Sequence, residues 1–157
     1  MAGRGEREPK SLLARAIALL ARRDHSRAEL ASKLRRRLAE TDDPADVDRV
    51  LDALERDKLL SDERYAGAVT RARAARFGDA RLRFDLKASG VQPDTADRAM
   101  AALEATELER ARLVWARRFG ELPGTPQEWA RQARFLQSRG FSGETIRRVL
   151  KTLPGDD

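Results

Sequence analysis

The sequence has no cysteine and no asparagine, one histidine, one tyrosine and only 5% aromatic residues. Without cysteine there is no disulfide framework, thiolate metal site or cysteine nucleophile, and a reducing compartment suits such a chain. A single histidine, His25, excludes a histidine metal cluster within one chain, and as a catalytic base it has no candidate nucleophile or orienting partner in sequence. A Gly-rich phosphate loop, a nucleophile elbow and paired metal carboxylates are also missing. The expectation is therefore a protein that is not an enzyme and carries no metal or cofactor.

Other absences narrow the field further. With asparagine missing and glutamine scarce, few side chains suit adenine edges, which argues against sequence-specific DNA reading. No run approaches the ~20 apolar residues that cross a bilayer. Arg4, Arg7 and Lys10 ahead of Leu12-Leu13 and Ile17–Leu20 mimic a signal peptide. Arg15 interrupts that run, however, and Arg22-Arg23 closes it without a small-residue cleavage site. A cytoplasmic protein without membrane contact is expected.

What is present is helical periodicity. Apolar residues recur at i, i+3, i+4 spacing almost throughout, and no alternating strand-like run occurs. Leu12, Leu13, Ala16, Ile17 and Leu20 read as one stripe, and Leu30, Leu34 and Leu38 as the next. Ser26 with Glu29 has the spacing of a capping box, with His25 and Leu30 as a staple across it. Asp43-Pro44 opens a third helix as cap plus first-turn proline, with Val47, Val50, Leu51 and Leu54 facing inward. The pattern then restarts twice. Ala96/Ala99/Met100/Leu103 and Ile146/Val149/Leu150/Leu153 repeat the third helix's spacing, and Pro93 stands 49 residues after Pro44. Thr125-Pro126-Gln127-Glu128 reads as a second capping box, and Gly78, Gly90 and Gly140 as breaks.

Such a period signals a helical array. The fold class expected is all-α: three tandem three-helix repeats forming an elongated, curved array. The repeats span 11–58, 61–105 and 106–153, between a loose N-terminal arm (1–10) and a tail (154–157). The aromatics Tyr65, Phe77, Phe84, Trp115, Phe119, Trp129, Phe135 and Phe141 sit mostly at core spacing, giving no stacking platform for single strands.

Charge is plentiful and bunched. Five of the 32 basic residues are lysine, leaving 27 arginines in a chain of formal charge +6. Residues 22–37 carry +5, Arg71, Arg73, Arg76, Arg81 and Arg83 with Asp79 carry +4, and residues 40–57 carry −6. The acidic stretch reads as a solvated, dipole-favoured helix face rather than a metal cluster. Further arginines, among them Arg110, Arg112, Arg117, Arg118, Arg131, Arg134, Arg139, Arg147 and Arg148, repeat the basic theme. Arginine forks suit phosphate and carboxylate, so the bunching favours an extended acidic or polyanionic partner.

Three motifs in order resemble one family. Leu20-Ala21-Arg22-Arg23-Asp24-His25-Ser26-Arg27-Ala28-Glu29-Leu30 is similar to the opening of the RecX regulatory proteins. Leu59-Leu60-Ser61-Asp62-Glu63-Arg64-Tyr65-Ala66 resembles their second-repeat start, and Arg139-Gly140-Phe141-Ser142 their last-repeat motif. The resemblance covers about 11–153. One departure is Arg36-Arg37-Leu38 at the end of the second helix, where the family often has glycine. The resemblance implies three-helix repeats and a monomeric, non-enzymatic modulator of the RecA recombinase. Such a protein lodges in the groove of the RecA–DNA filament, restrains ATP hydrolysis and strand exchange, and so acts in recombination, DNA repair and the SOS response. It touches DNA weakly or through the filament. The alternative is a stand-alone nonspecific DNA-binding helical-repeat protein.

The motif residues His25, Ser26, Glu29, Leu30, Ser61, Asp62, Tyr65, Arg139, Gly140, Phe141 and Ser142 are expected to be partly structural, as caps, staples and a helix stop. The expected contacts with the filament are Arg22, Arg23, Arg27, Arg64, Arg71, Arg73, Arg76 and Arg81.

Overall fold

The computed structural model describes residues 10–151; most of the expected arm, Leu153 and the expected tail lie outside these residues. Among the described residues there are nine α-helices and no strand. They are α1 (Leu12–Arg22), α2 (Arg27–Arg36), α3 (Asp46–Arg56), α4 (Asp62–Arg73), α5 (Asp79–Ala88), α6 (Pro93–Ala101), α7 (Glu107–Arg118), α8 (Pro126–Ser138) and α9 (Gly143–Leu150). The fold is an all-α array of three-helix repeats. It forms two compact units, one ending at Asp62 and one starting at Glu63.

In the first unit α1–α3 close over a core of Leu12, Ala16, Leu30, Leu34, Val47, Leu51, Leu54 and Leu60. Leu30 and Leu51 are 0% exposed, and full burial of such a side chain is worth roughly 1.5–3 kcal/mol. The stripe on α1 is narrower than its composition implies. Leu12 and Ala16 are buried with Leu19 and Leu20 against them, whereas Leu13 and Ile17 are each 43% exposed. At 100° per residue, positions 13 and 17 turn away from a face set by 12, 16, 19 and 20.

Two helix ends differ from their sequence signals. The helix expected to open at Asp43-Pro44 begins at Asp46, with Ala45 as an N-cap lacking a side-chain bond. The Asp43 carboxylate accepts from Ala45 N at 2.9 Å and its carbonyl from Asp46 N at 2.9 Å. The proline therefore sits in a separate turn ahead of the helix. At the end of α2, Arg37 keeps a negative φ of −122° and donates its N–H to Leu34 O. That exit makes no use of the left-handed conformation, so no glycine is needed there. The second helices of the other repeats end differently: Gly90 (φ 78°) and Gly140 (φ 85°) let Val91 N reach Leu86 O and Phe141 N reach Leu136 O. These are Schellman closures.

In the second unit the repeats are joined by backbone hydrogen bonds. Gly78 N donates to Arg139 O at 2.7 Å and Ala80 N to Gly140 O at 3.2 Å. The N-terminus of α5 is thus satisfied by the carbonyls that close α8, which places a helix start against a helix end with complementary partial charges. A Cβ on Gly78 would stand 2.4 Å from the Gly140 carbonyl carbon, and one on Gly140 would stand 2.5 Å from Arg81 Cβ. Arg110 of α7, 5% exposed, donates to Phe77 O at 2.6 Å, to Ala74 O at 3.2 Å and to the Asp79 carboxylate. It therefore closes the end of α4 and the start of α5 together. Glu107 accepts from Ser142 N at 2.8 Å. Burial lifts its carboxyl above the usual range, and the facing Asp79 carboxylate adds to the rise.

Candidate anion-binding interface

The sequence-predicted arginines meet several fates. In the first unit, Arg23 bonds the Glu29 carboxylate, and Arg27 holds Asp52 at 2.8 Å and Glu55 at 3.0 Å. Burial would lower the Arg27 pKa, yet the hydrogen bonds it donates to Glu55 and Asp52, with their negative charges, raise it above its ordinary value. Arg35 meets Asp48 at 3.2 Å. The acidic face of α3, expected to be simply solvated, is therefore paired with the basic face of α2, and part of the first basic bunch is spent inside the unit. Arg22 is exposed on the last turn of α1, beside a hollow shared with Lys33 and Arg37.

The motif residues of this unit hold its fold. His25 is 2% exposed, with Nδ1 3.0 Å from Arg23 O and Nε2 2.9 Å from Lys33 Nζ. A carbonyl only accepts and an ammonium only donates, so Nδ1 carries the proton and the ring is neutral. Burial keeps its pKa below the ordinary 6.5. Ser26 Oγ accepts from Glu29 N, and the Asp62 carboxylate accepts from Arg27 N at 2.7 Å, so two side chains cap α2. Leu30 is fully buried, and Ser61 lies immediately before α4. In the second unit Tyr65 is buried with its hydroxyl on Ser89 Oγ, Phe141 is buried, and Ser142 Oγ caps α9 through Thr145 N. Trp115 Nε1 donates to the buried Gln132, which fixes α7 against α8.

The remaining arginines of the second unit gather on rings. Arg73, Arg81, Arg76 and Arg139 lie 4.8, 5.2, 5.7 and 5.7 Å from the Phe77 centroid. Arg139 also lies 5.1 Å from Phe135, which Arg118 approaches at 5.7 Å. Arg118 and Arg131 stand over Phe119, itself edge-on to Phe135 at 5.4 Å. A continuous arginine–phenylalanine ladder thus runs from the α4–α5 corner to α7 and α8. Cation–π contacts of this kind are worth roughly 0.5–1 kcal/mol each at exposed sites.

Ion pairing divides the ladder. Arg73 and Arg81 share Asp85 at 2.9 and 3.2 Å. Arg76, Arg117, Arg118, Arg131 and Arg139 make no ion pair with any described residue. Of the expected contacts, Arg73, Arg76 and Arg81 join this cluster, with Arg139 from the last motif. Arg64 and Arg71 are exposed along α4, Arg71 lying over Gly67. Arg110, counted with the basic bunch, is instead a buried structural bond.

Sequence reasoning singled out neither Arg117, Arg118 and Arg131 as contacts nor the rings beneath Arg118 and Arg131. A signal exists: Phe77, Phe84, Phe119 and Phe135 each directly follow an arginine, and only Phe141 does not. Phe77 and Phe135 are half-buried against the core and Phe119 is half-buried, whereas Phe84, 67% exposed, departs from core placement.

The family model of the second three-helix domain of RecX matches residues 61–100, and that of the third matches residues 105–150. The regulatory protein RecX of Leptothrix cholodnii is 50% identical over 141 residues, covering 90% of this chain and 88% of that protein. That of Ralstonia nicotianae is 43% identical over 145 residues, covering 92% and 89%. The crystal structure of RecX from Lactobacillus salivarius superposes with a TM-score of 0.75 at 18% identity, covering 89% of this chain and 92% of that one, a likeness of fold.

Proposed function

The chain belongs to the RecX family of regulatory proteins, and from that premise we propose that it binds the RecA–DNA nucleoprotein filament and restrains it. In this reading it is a monomeric cytoplasmic protein of three repeats, 11–58, 61–105 and 106–153, without catalytic activity of its own. It slows ATP hydrolysis and strand exchange by bridging neighbouring RecA subunits, and so damps recombination and the SOS response.

The observation that supports this reading best is the arginine–phenylalanine ladder of the second unit. Its guanidinium groups gather on rings, and four of them, Arg76, Arg118, Arg131 and Arg139, have no carboxylate partner among the described residues. A preorganised cationic face of this kind suits an extended acidic surface, whether protein carboxylates or phosphate in a filament groove. Adding the protein should lower the DNA-dependent ATPase rate of RecA, and an unchanged rate at several-fold excess overturns the reading.

The same arginines favour one rival, a stand-alone nonspecific DNA-binding protein. That reading requires a labelled duplex to be retained at physiological ionic strength with RecA omitted, and a steep loss of binding with salt.

A further inference from the structure

The turn after α4, together with α7 and α8, lines an open hollow of about 210 Å3 in the second unit. Arg76, Arg117, Arg118 and Arg139 ring it, with Val114 and Phe135 below. We propose that this hollow is a phosphate seat filled by the backbone of a nucleic-acid strand. The inference rests on the reading above in taking the ladder as the contact face, and it specifies what that face holds.

Four observations point this way. First, Arg76, Arg118 and Arg139 stand over phenylalanine rings. Stacking uses a guanidinium's face and leaves its N–H edge for an anion. Second, these four guanidinium groups have no carboxylate partner among the described residues, so their mutual repulsion favours an added anion. Third, the hollow gathers more arginines than Asp85 or Asp48 does. Asp85 takes two, Arg73 and Arg81, and Asp48 takes two, Arg27 and Arg35. Four around one hollow match a phosphate, or adjacent phosphates, better than a single acidic side chain. Fourth, the hollow is smaller than the roughly 300–1,000 Å3 typical of sites for whole drug-sized ligands. It has room for a phosphate and opens to solvent, as contact with a strand passing over it requires.

The ladder also sets the kind of recognition. Because guanidinium groups crowd around the half-buried rings, bases have no open platform on which to stack, and contact is with the backbone. Binding should therefore be indifferent to base identity.

The test uses the full chain without RecA and a fluorescently labelled oligothymidylate, followed by anisotropy at about 50 mM salt, where phosphate contacts are strong. Arg117→Gln/Arg118→Gln should weaken binding at least about tenfold and reduce the salt slope by about 1.4, or ~0.7 per lost phosphate contact. Arg147→Gln/Arg148→Gln on α9 removes the same charge from exposed positions elsewhere and should cost no more than about twofold. Oligoadenylate should bind like oligothymidylate. Thermal melts establish that each variant is folded, and the single exposed substitution Arg117→Gln gives the same reading, at smaller amplitude, should the double variant unfold.

Equal losses in the two double variants overturn the proposal. So does displacement of the strand by pyrophosphate at equal charge concentration, which would assign the hollow to free phosphates. Displacement by polyglutamate as effective as by oligonucleotide would assign it to an acidic protein segment. Because RecA is absent, failure here leaves the filament reading standing, and failure of the ATPase test leaves the phosphate seat standing.

Discussion

His25 is the side chain whose chemistry is set most completely by its surroundings. It is 2% exposed, donates from Nδ1 to Arg23 O and accepts at Nε2 from Lys33. Both contacts require the neutral ring, and burial lowers its pKa from the ordinary 6.5. At pH above 6.5 both folded and unfolded states hold a neutral imidazole, and this contribution to stability is complete. As pH falls below that value the unfolded chain takes up a proton that the native ring refuses. The contribution therefore shrinks and is lost as pH passes through the folded pKa. The chain has one histidine, so its imidazole resonances are unambiguous. They should titrate below 6.5 by NMR, and a midpoint at or above that value would contradict the buried neutral ring. Glu29 follows the same direction: burial opposes its ionisation, but the Arg23 hydrogen bond and the positive charges of Arg23 and Lys33 together hold the carboxyl below its usual range. Composition announced a histidine near a cap; the burial that governs its proton came from packing.

At the scale of elements, the decisive feature is the meeting of the α8 end with the α5 start. Gly140 has a positive φ and also presses on Arg81, whereas Gly120 has a similar φ of 77° but only Ala116 O at 3.5 Å from a Cβ. Gly120→Ala should cost about 1 kcal/mol, the penalty of the left-handed conformation alone. Gly140→Ala adds a backbone clash and should cost about 3 kcal/mol or more. Denaturant melts of the two variants measure the difference, and equal losses would mean that the two repeats can part without penalty. The glycine after α8 was legible as a helix stop. Its role as a contact surface was not, because Gly78 and Gly140 are 62 positions apart and sequence spacing carries no information about such approaches. Glu107 lies beside the same junction. Its raised pKa gives a contribution present at low pH and lost as pH rises through the folded value, opposite in sign to His25.

At the scale of the molecule, the formal +6 is unevenly held. The chain up to Asp62 carries +1 and the remainder +5. In the first unit, carboxylates of α3 face Arg27 and Arg35. In the second, Arg76, Arg118, Arg131 and Arg139 face rings. If the filament is the partner, Arg76→Gln/Arg131→Gln should raise the concentration for half-maximal RecA ATPase inhibition by about fivefold or more. Arg35→Gln, whose charge is already matched by Asp48, should shift it less than about twofold. The reverse order would move the contact surface to the first unit, where Arg22, Arg23 and Arg27 were expected to lie in it.

Periodicity by itself determined the helical class, the recurrence of the three-helix pattern and most caps, because these depend on residues three to four apart within one segment. The three ordered motifs pointed to the family on the same local information. Tertiary structure alone decided which arginines remain available. Arg110 became a buried tie, Arg27 an ion pair and Arg118 a stacked cation without a carboxylate. A side chain's charge is written in the sequence, but its partner is set by which distant helix the fold brings against it.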